Sequence, residues 1–294
     1  MKRISTLIAI VLAAALILPW TSQARAQSYT YVSHTGNDAN TCDSPAAACR
    51  FFAAALIKTN DGGVVSCVDP GYYGFSSIIT KSVTIDCLAG GGGVNAERIS
   101  VNAPGKTVRL RNLVANGFGQ SNVAVIEIIA ASNVYIENVL ATLTIAGAPG
   151  IYDHRAGPAL LAIVNSRFVN NSGPGIVIAP ASGVIGVDLE NVTSAYNAYG
   201  IAVGNGGRVT IKNSFFTNNS VAGIEGDGGS FIEISSSKMA FNEKGILTSG
   251  STALSLSQIV SNTTAISGAT QSTGNNLIFG NSTDGTAPTI ISSR

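Results

Sequence analysis

Charge is what this chain has least of. Only 11% of its 294 residues are Asp, Glu, Lys or Arg, and 17 basic residues stand against 16 acidic ones. No basic face is available to neutralise phosphates, which excludes nucleic acid as a partner. Long apolar runs are missing beyond the first residues, because Gly, Asn and Ser interrupt every later stretch. A bilayer span needs ~20 consecutive apolar residues, so none is expected in the processed chain. The four Cys include no Cys-x-x-Cys spacing, and no Asp/Asn-x-Asp-x-Asp run occurs. Neither a zinc site nor a calcium loop is expected, and no cofactor.

What is present begins with an export signal. Lys2 and Arg3 precede an apolar run from Ile4 to Leu18, Pro19 breaks it, and Ala24-Arg25-Ala26 offers a small-x-small cleavage site. Residues 1–26 read as a signal peptide, with Gln27 at the new N-terminus and a secreted or periplasmic destination. Removal of Lys2, Arg3 and Arg25 leaves 14 basic residues (17 − 3) against 16 acidic ones, a net charge near −2. Export makes disulfides the expected fate of the Cys. Of three possible pairings, Cys42–Cys49 closes a short loop. Cys67 and Cys87 then lie 20 residues apart.

The rest of the chain repeats itself. Eight segments alternate two apolar residues with polar ones and end on a small polar residue, usually Asn: Val83–Cys87, Val108–Asn112, Val134–Asn138, Leu161–Asn165, Val187–Asn191, Val209–Asn213, Ile232–Ser236 and Leu254–Gln258. Their last positions step by 25, 26, 27, 26, 22, 23 and 22 residues. A second file, Ile99, Ile126, Ile151, Ile176, Ile201, Ile224, Ile246 and Ile266, steps by 27, 25, 25, 25, 23, 22 and 20. A third is Asn171, Asn197, Asn219, Asn242 and Asn262. Such periods mean stacked supersecondary units. Each coil reads strand, Asn turn, short strand, Asn, loop, Gly-Ile strand. The Asn files are expected to fill left-handed turns and to bond coil to coil, a structural role. The pattern predicts an all-β, single-domain right-handed parallel β-helix with three short strands per coil and about eight coils. Cys67 and Cys87, about one coil apart, would then sit one above the other at strand spacing, within disulfide reach.

Residues 27–63 read as an N-terminal strand, a disulfide loop and a capping helix. That helix is predicted over Pro45–Lys58, capped by Asp43 or Ser44 and ended by Asp61-Gly62-Gly63. The coils are assigned to 64–280. The Ser/Thr/Asn-rich stretch after Gly268 is expected to be irregular, with 281–294 as a tail.

These repeats resemble the right-handed parallel β-helix of the pectate-lyase-like superfamily over about Val64 to Phe279. The stretch from Tyr31 to Gly74 is similar to the opening of exported bacterial β-helix proteins. The resemblance implies a role with polysaccharides, or a surface or adhesin-like role; fold alone does not choose. Enzyme members of that superfamily carry local signatures. The Asn-Thr-Asp, Asp-Asp, Gly-His-Gly and Arg-Ile-Lys set is absent here, as are Arg-x-Pro-x-x-Arg and Asp-Pro-His-Asp. Only Ile151-Tyr152-Asp153-His154 resembles, in altered order, a pectate-lyase motif.

In such a helix the face over the Gly-Ile strands is the usual substrate track. Its outward file is Ser100, Glu127, Tyr152, Val177, Ala202, Glu225, Leu247 and Ser267. Beside Tyr152 come Asp153, His154 and Arg155, the densest ionisable cluster of the chain. Under a catalytic reading Arg155 neutralises a sugar carboxylate, His154 or Arg155 takes the proton, and Tyr152 and Glu127 bind the sugar. The plainer reading pairs Asp153 with Arg155 and leaves His154 in solvent. A second outward face carries Arg109, Arg111, Tyr135, Glu137, Asp188, Glu190, Lys212 and Glu233. Asp188 and Glu190 share one face of a strand, as the carboxylates of an inverting hydrolase do. Ordinary cross-strand pairing, Glu190 with Lys212 and Arg111 with Glu137, is the favoured account. The missing signatures favour a non-catalytic carbohydrate-binding or structural surface module. A polysaccharide lyase or glycoside hydrolase is the alternative, and self-association through Val177, Ala202 and Leu247 a third.

Overall fold

A computed structural model describes residues 27–74, 76–87 and 96–292, so the expected signal peptide lies outside the described residues. The chain winds through about nine turns whose strands build three parallel sheets. The first sheet stacks twelve strands, the second, after the Asn turn, eight, and the third, carrying the Gly-Ile strands, ten.

The aliphatic files point inward, with Leu256 the exception. Ile99, Ile126, Ile151, Ile176, Ile201, Ile224, Ile246 and Ile266 pair in register on neighbouring strands, and every one is buried. Val108 and Leu110, Val134 and Ile136, and Leu161 and Ile163 do the same on the first sheet. Full burial of one such side chain contributes about 1.5–3 kcal/mol. The second sheet alternates bulk: Phe168, Ser194 and Phe216 lie in file, all buried. Ser194 Oγ spends its hydrogen on the Gly200 carbonyl, 2.7 Å away.

The two Asn files do different work. Asn112, Asn138, Asn165, Asn191 and Asn213 hold the turn after the first sheet at φ between 50° and 56°, where Asn is among the few tolerated side chains. Asn171, Asn197, Asn219, Asn242 and Asn262 instead form a buried ladder. The backbone N–H of each donates to the side-chain oxygen of the next, at 2.9–3.1 Å, and Asn281 adds a further rung. The left-handed positions at that corner belong to the preceding residues, Asn170, Tyr196, Asn218, Phe241 and Ser261.

The N-terminal segment departs from the sequence reading. The helix spans only Phe52–Lys58; Pro45–Ala47 is a single 3-10 turn. Cys49 is extended instead, because it bridges Val32 and is cross-linked to Cys42 with the Cα atoms 5.0 Å apart. Neither Asp43 nor Ser44 caps this helix. Asp38 approaches from outside, accepting the N–H groups of Arg50 and Phe51 at 2.8 and 3.0 Å. Phe52, Ala55 and Leu56 pack into the core. Asp61, Gly62 and Gly63 lie within the strand Thr59–Cys67, not at a helix end. Cys67 and Cys87 form the second disulfide, Cα atoms 4.5 Å apart. Asp69 anchors this end: it accepts hydrogen bonds from Ser33 Oγ (2.6 Å), the His34 N–H (3.0 Å) and the Tyr73 hydroxyl (2.9 Å). Its own burial would raise the carboxyl pKa, but these bonds outweigh it and hold the group at about 2.

The C-terminal stretch is more regular than its composition suggests. Thr283–Gly285 and Thr289–Ile290 pair onto the third and first sheets, so coil pairing continues past residue 280. The last repeat also sits two residues from its sequence alignment. Leu254 pairs with Ile234, Thr252 takes the place opposite Ile232, and Leu256 occupies the left-handed turn.

Candidate functional site

Period-2 alternation along each Gly-Ile strand fixes what faces outward. Ser100, Glu127, Tyr152, Val177, Ala202, Glu225, Leu247 and Ser267 are in register down the third sheet, opposite in sense to the buried Ile file. The same alternation divides the ionisable cluster. Asp153 falls in the inward file between Ile128 and Ile178 and is completely buried. Arg155, two residues on, folds in beside it with 1% exposure.

The pair is self-contained. Arg155 Nε and Nη2 meet the two Asp153 oxygens at 2.8 and 2.6 Å. Nη1 donates to the Ala131 carbonyl at 3.0 Å and Nη2 to that of Leu160 at 3.2 Å. These contacts tie the third sheet to the start of the first. Neither residue presents an atom to a ligand outside the barrel, which corrects the catalytic expectation for Asp153 and Arg155. In such a buried pair each charge offsets the desolvation of the other, so removing one partner alone is costly.

Tyr152 and His154 stay outside. Their rings stack with centroids 4.5 Å apart and planes 20° from parallel. His154 Nε2 lies 3.3 Å from Glu127 Oε1. Arg98 pairs with the other oxygen of Glu127, and Ser100 Oγ reaches it at 3.4 Å. His154, Glu127 and Arg98 remain part-exposed, at 30%, 19% and 31% of their side-chain surface. An aromatic platform, an imidazole, a carboxylate and a guanidinium thus share one patch over three coils. Such a patch can stack on a sugar ring and exchange hydrogen bonds with its hydroxyls. Arg98 was missed in the sequence; it precedes Ile99 directly, and alternation places it on the outside.

Farther along this face Glu225 sits between Ala202 and Leu247. Burial, then a hydrogen bond and like charge from Asp227, push its carboxyl up to about 7. The first sheet's outer face carries the expected pairing only in part. Arg111 Nε meets Glu137 at 2.9 Å and Nη1 meets Asp86 at 3.5 Å. Glu190 is in register with Lys212, yet no ion pair joins them. Among the described residues no three His, Cys, Asp or Glu side chains are placed to hold a metal ion, and no helix is long and apolar enough to cross a membrane.

No curated protein matches the chain by sequence. Among solved structures, the crystal structure of pectate lyase Pel9A is similar at 14% identity and a TM-score of 0.62, covering 88% of this chain and 79% of that one. A rhamnogalacturonan lyase is similar at 14% identity and 0.55, covering 79% and 75%. The A-module of the Azotobacter vinelandii mannuronan C-5 epimerase AlgE6 is similar at 13% and 0.51, covering 82% and 94%. Identities this low carry the fold alone. Residues 150–292 match the family described as "Right handed beta helix region". By its three parallel sheets, its inward files and these likenesses, the chain has the right-handed parallel β-helix fold.

Proposed function

We propose that this protein is exported and binds polysaccharide non-catalytically, through the outer face of its third sheet. One observation supports this most: the Tyr152–His154 stack stands beside the Glu127–Arg98 pair, part-exposed, on a flat parallel face. The stack offers a planar apolar surface for the C–H face of a sugar, and the flanking charges offer donors and acceptors for its hydroxyls or carboxylate. The named activities of the fold's neighbours, two lyases and an epimerase of polysaccharides, favour a glycan as the ligand class. Two disulfides accord with an oxidising compartment.

A lyase or hydrolase reading rests on the contact between His154 and Glu127, a base oriented by a carboxylate. Under it, His154 takes the proton and Arg98 replaces Arg155 as the group facing a uronate. Self-association through Val177, Ala202 and Leu247 is weaker, because Glu225 interrupts that apolar file. The test is titration of the processed protein with uronic and neutral polysaccharides, read in parallel by calorimetry and by absorbance of unsaturated products. Saturable binding lost on Tyr152→Ala, with no product, supports the binding reading. Product formation abolished by His154→Ala replaces it with the lyase reading.

A further inference from the structure

The first sheet carries one local motif twice. In each copy an Arg on one coil lies over an aromatic ring in register on the next, and a Glu follows that aromatic by two residues. Arg109 covers Tyr135 at 4.1 Å, with Glu137 beyond; Arg208 covers Phe231 at 4.3 Å, with Glu233 beyond. The two copies differ in what faces the carboxylate. Glu137 stands in register with Arg111 and is neutralised by it at 2.9 Å. Glu233 stands between Thr210 and Ala253, so neither residue directly opposite it is a cation, and neither Arg208 nor Lys212 on the same strand as Thr210 closes to an ion pair with it. Arg208 likewise has Gly186 on its other side. Neither Arg208 nor Glu233 makes an ion pair among the described residues.

The second copy also opens onto a groove of about 420 Å³. Its cause is legible in the strand Ser251–Ser255, whose outward residues Ser251, Ala253 and Ser255 are all small. Phe231 and Glu233 form the wall on one side, and Thr273 and Ile291 on the other. Phe231 keeps 46% of its surface exposed beneath Arg208.

We propose that this groove is a second glycan site, separate from the Tyr152 face, and that it takes a neutral pyranoside unit. The groove holds one cation and one anion, both without a charged partner, so it complements a ligand of no net charge. Vicinal hydroxyls satisfy both groups: Arg208 donates to hydroxyl oxygens, and Glu233 accepts hydroxyl hydrogens. The exposed part of Phe231 packs on the apolar face of the ring. A uronate that pairs its carboxylate with Arg208 sets a second negative charge in the groove beside the unpaired Glu233, and that repulsion disfavours it against a neutral ring. The copy at Arg109 is the internal control: it lines a smaller pocket of about 240 Å³, and its Glu137 is already paired with Arg111.

The test is calorimetric titration with neutral hexasaccharides of glucan, mannan, galactan and xylan, with oligogalacturonate as the charged comparison. At least one neutral hexasaccharide binds saturably, and oligogalacturonate binds at least about tenfold more weakly at this site. Phe231→Ala and Ala253→Lys, which sets a cation opposite Glu233, each weaken the neutral ligand about tenfold or more. Tyr135→Ala leaves it within about twofold, and all these titrations are run in the Tyr152→Ala background, which keeps failure here distinct from failure at the Tyr152 face. Thermal unfolding checks that each variant folds, and Glu233→Gln replaces any that does not. If no neutral hexasaccharide binds, or if folded Phe231→Ala and Ala253→Lys bind as the parent does, the proposal is wrong.

Discussion

Tyr152 and His154 lie on one side of a strand and its extension, Asp153 and Arg155 on the other. Four adjacent residues that read in sequence as one reactive cluster are two separate devices. The outer pair stacks part-exposed beside Glu127. The inner pair is sealed among backbone carbonyls and Ile side chains. Ionisable residues close in sequence therefore say little about a shared site until the face of each is known.

The strongest way to break this division is to remove the inner cation. Arg155→Met leaves the Asp153 carboxylate buried without a partner and is expected to cost about 3–5 kcal/mol in urea unfolding. Adding Asp153→Leu to that variant restores only part of the loss: the stranded carboxylate is gone, but the Ala131 and Leu160 carbonyls still lack the donors that Arg155 gave them. Ile176→Ala, in the buried file beside Ile151 and Ile201, is expected to cost about 2–5 kcal/mol in the same assay. Both act on stability alone, with ligand affinity unchanged in the folded fraction.

The outer face predicts the reverse pattern at smaller scale. Glu225 has a folded pKa of about 7 against the ordinary glutamate value of 4.5. The folded state therefore holds this proton more tightly than the unfolded state does. The contribution of Glu225 to stability is fully present below about pH 4.5 and is lost as pH rises through about 7. With partial solvent screening the effect is on the order of 1 kcal/mol. Glu225→Gln flattens that part of the stability-against-pH profile; an unchanged slope would show that Glu225 is not its source. Smallest in stability is Tyr152→Ala, expected to cost no more than about 1 kcal/mol because the ring is part-exposed and its main partner is the equally part-exposed His154.

Much of the fold was legible because the pattern is redundant. Each inward Ile is specified by its period, by alternation within its strand and by identical neighbours above and below. The pairing of Cys67 with Cys87 followed from the same coil length. The misreadings lie where that redundancy fails. Pro45–Lys58 has a helix-forming composition, but the disulfide and bridge at Cys49 hold its middle extended. The last coil shortened, and Leu254 slid one pleat along because Thr252 could take a buried place. Asp153 and Arg155 broke the rule that inward positions are aliphatic, and composition outweighed alternation in reading them. Alternation counted from Ile151 places both inside. The groove at Phe231 was hidden for another reason. It arises from small residues at Ser251, Ala253 and Ser255, one coil away from the side chains that line its wall.

The most direct measurement sets Arg155→Met beside Tyr152→Ala, recording unfolding free energy and polysaccharide affinity for both. The account predicts crossed results: Arg155→Met loses stability and keeps affinity, and Tyr152→Ala keeps stability and loses affinity about tenfold. A fully folded Arg155→Met protein that no longer binds would contradict it, because the guanidinium would then have to be reaching the ligand.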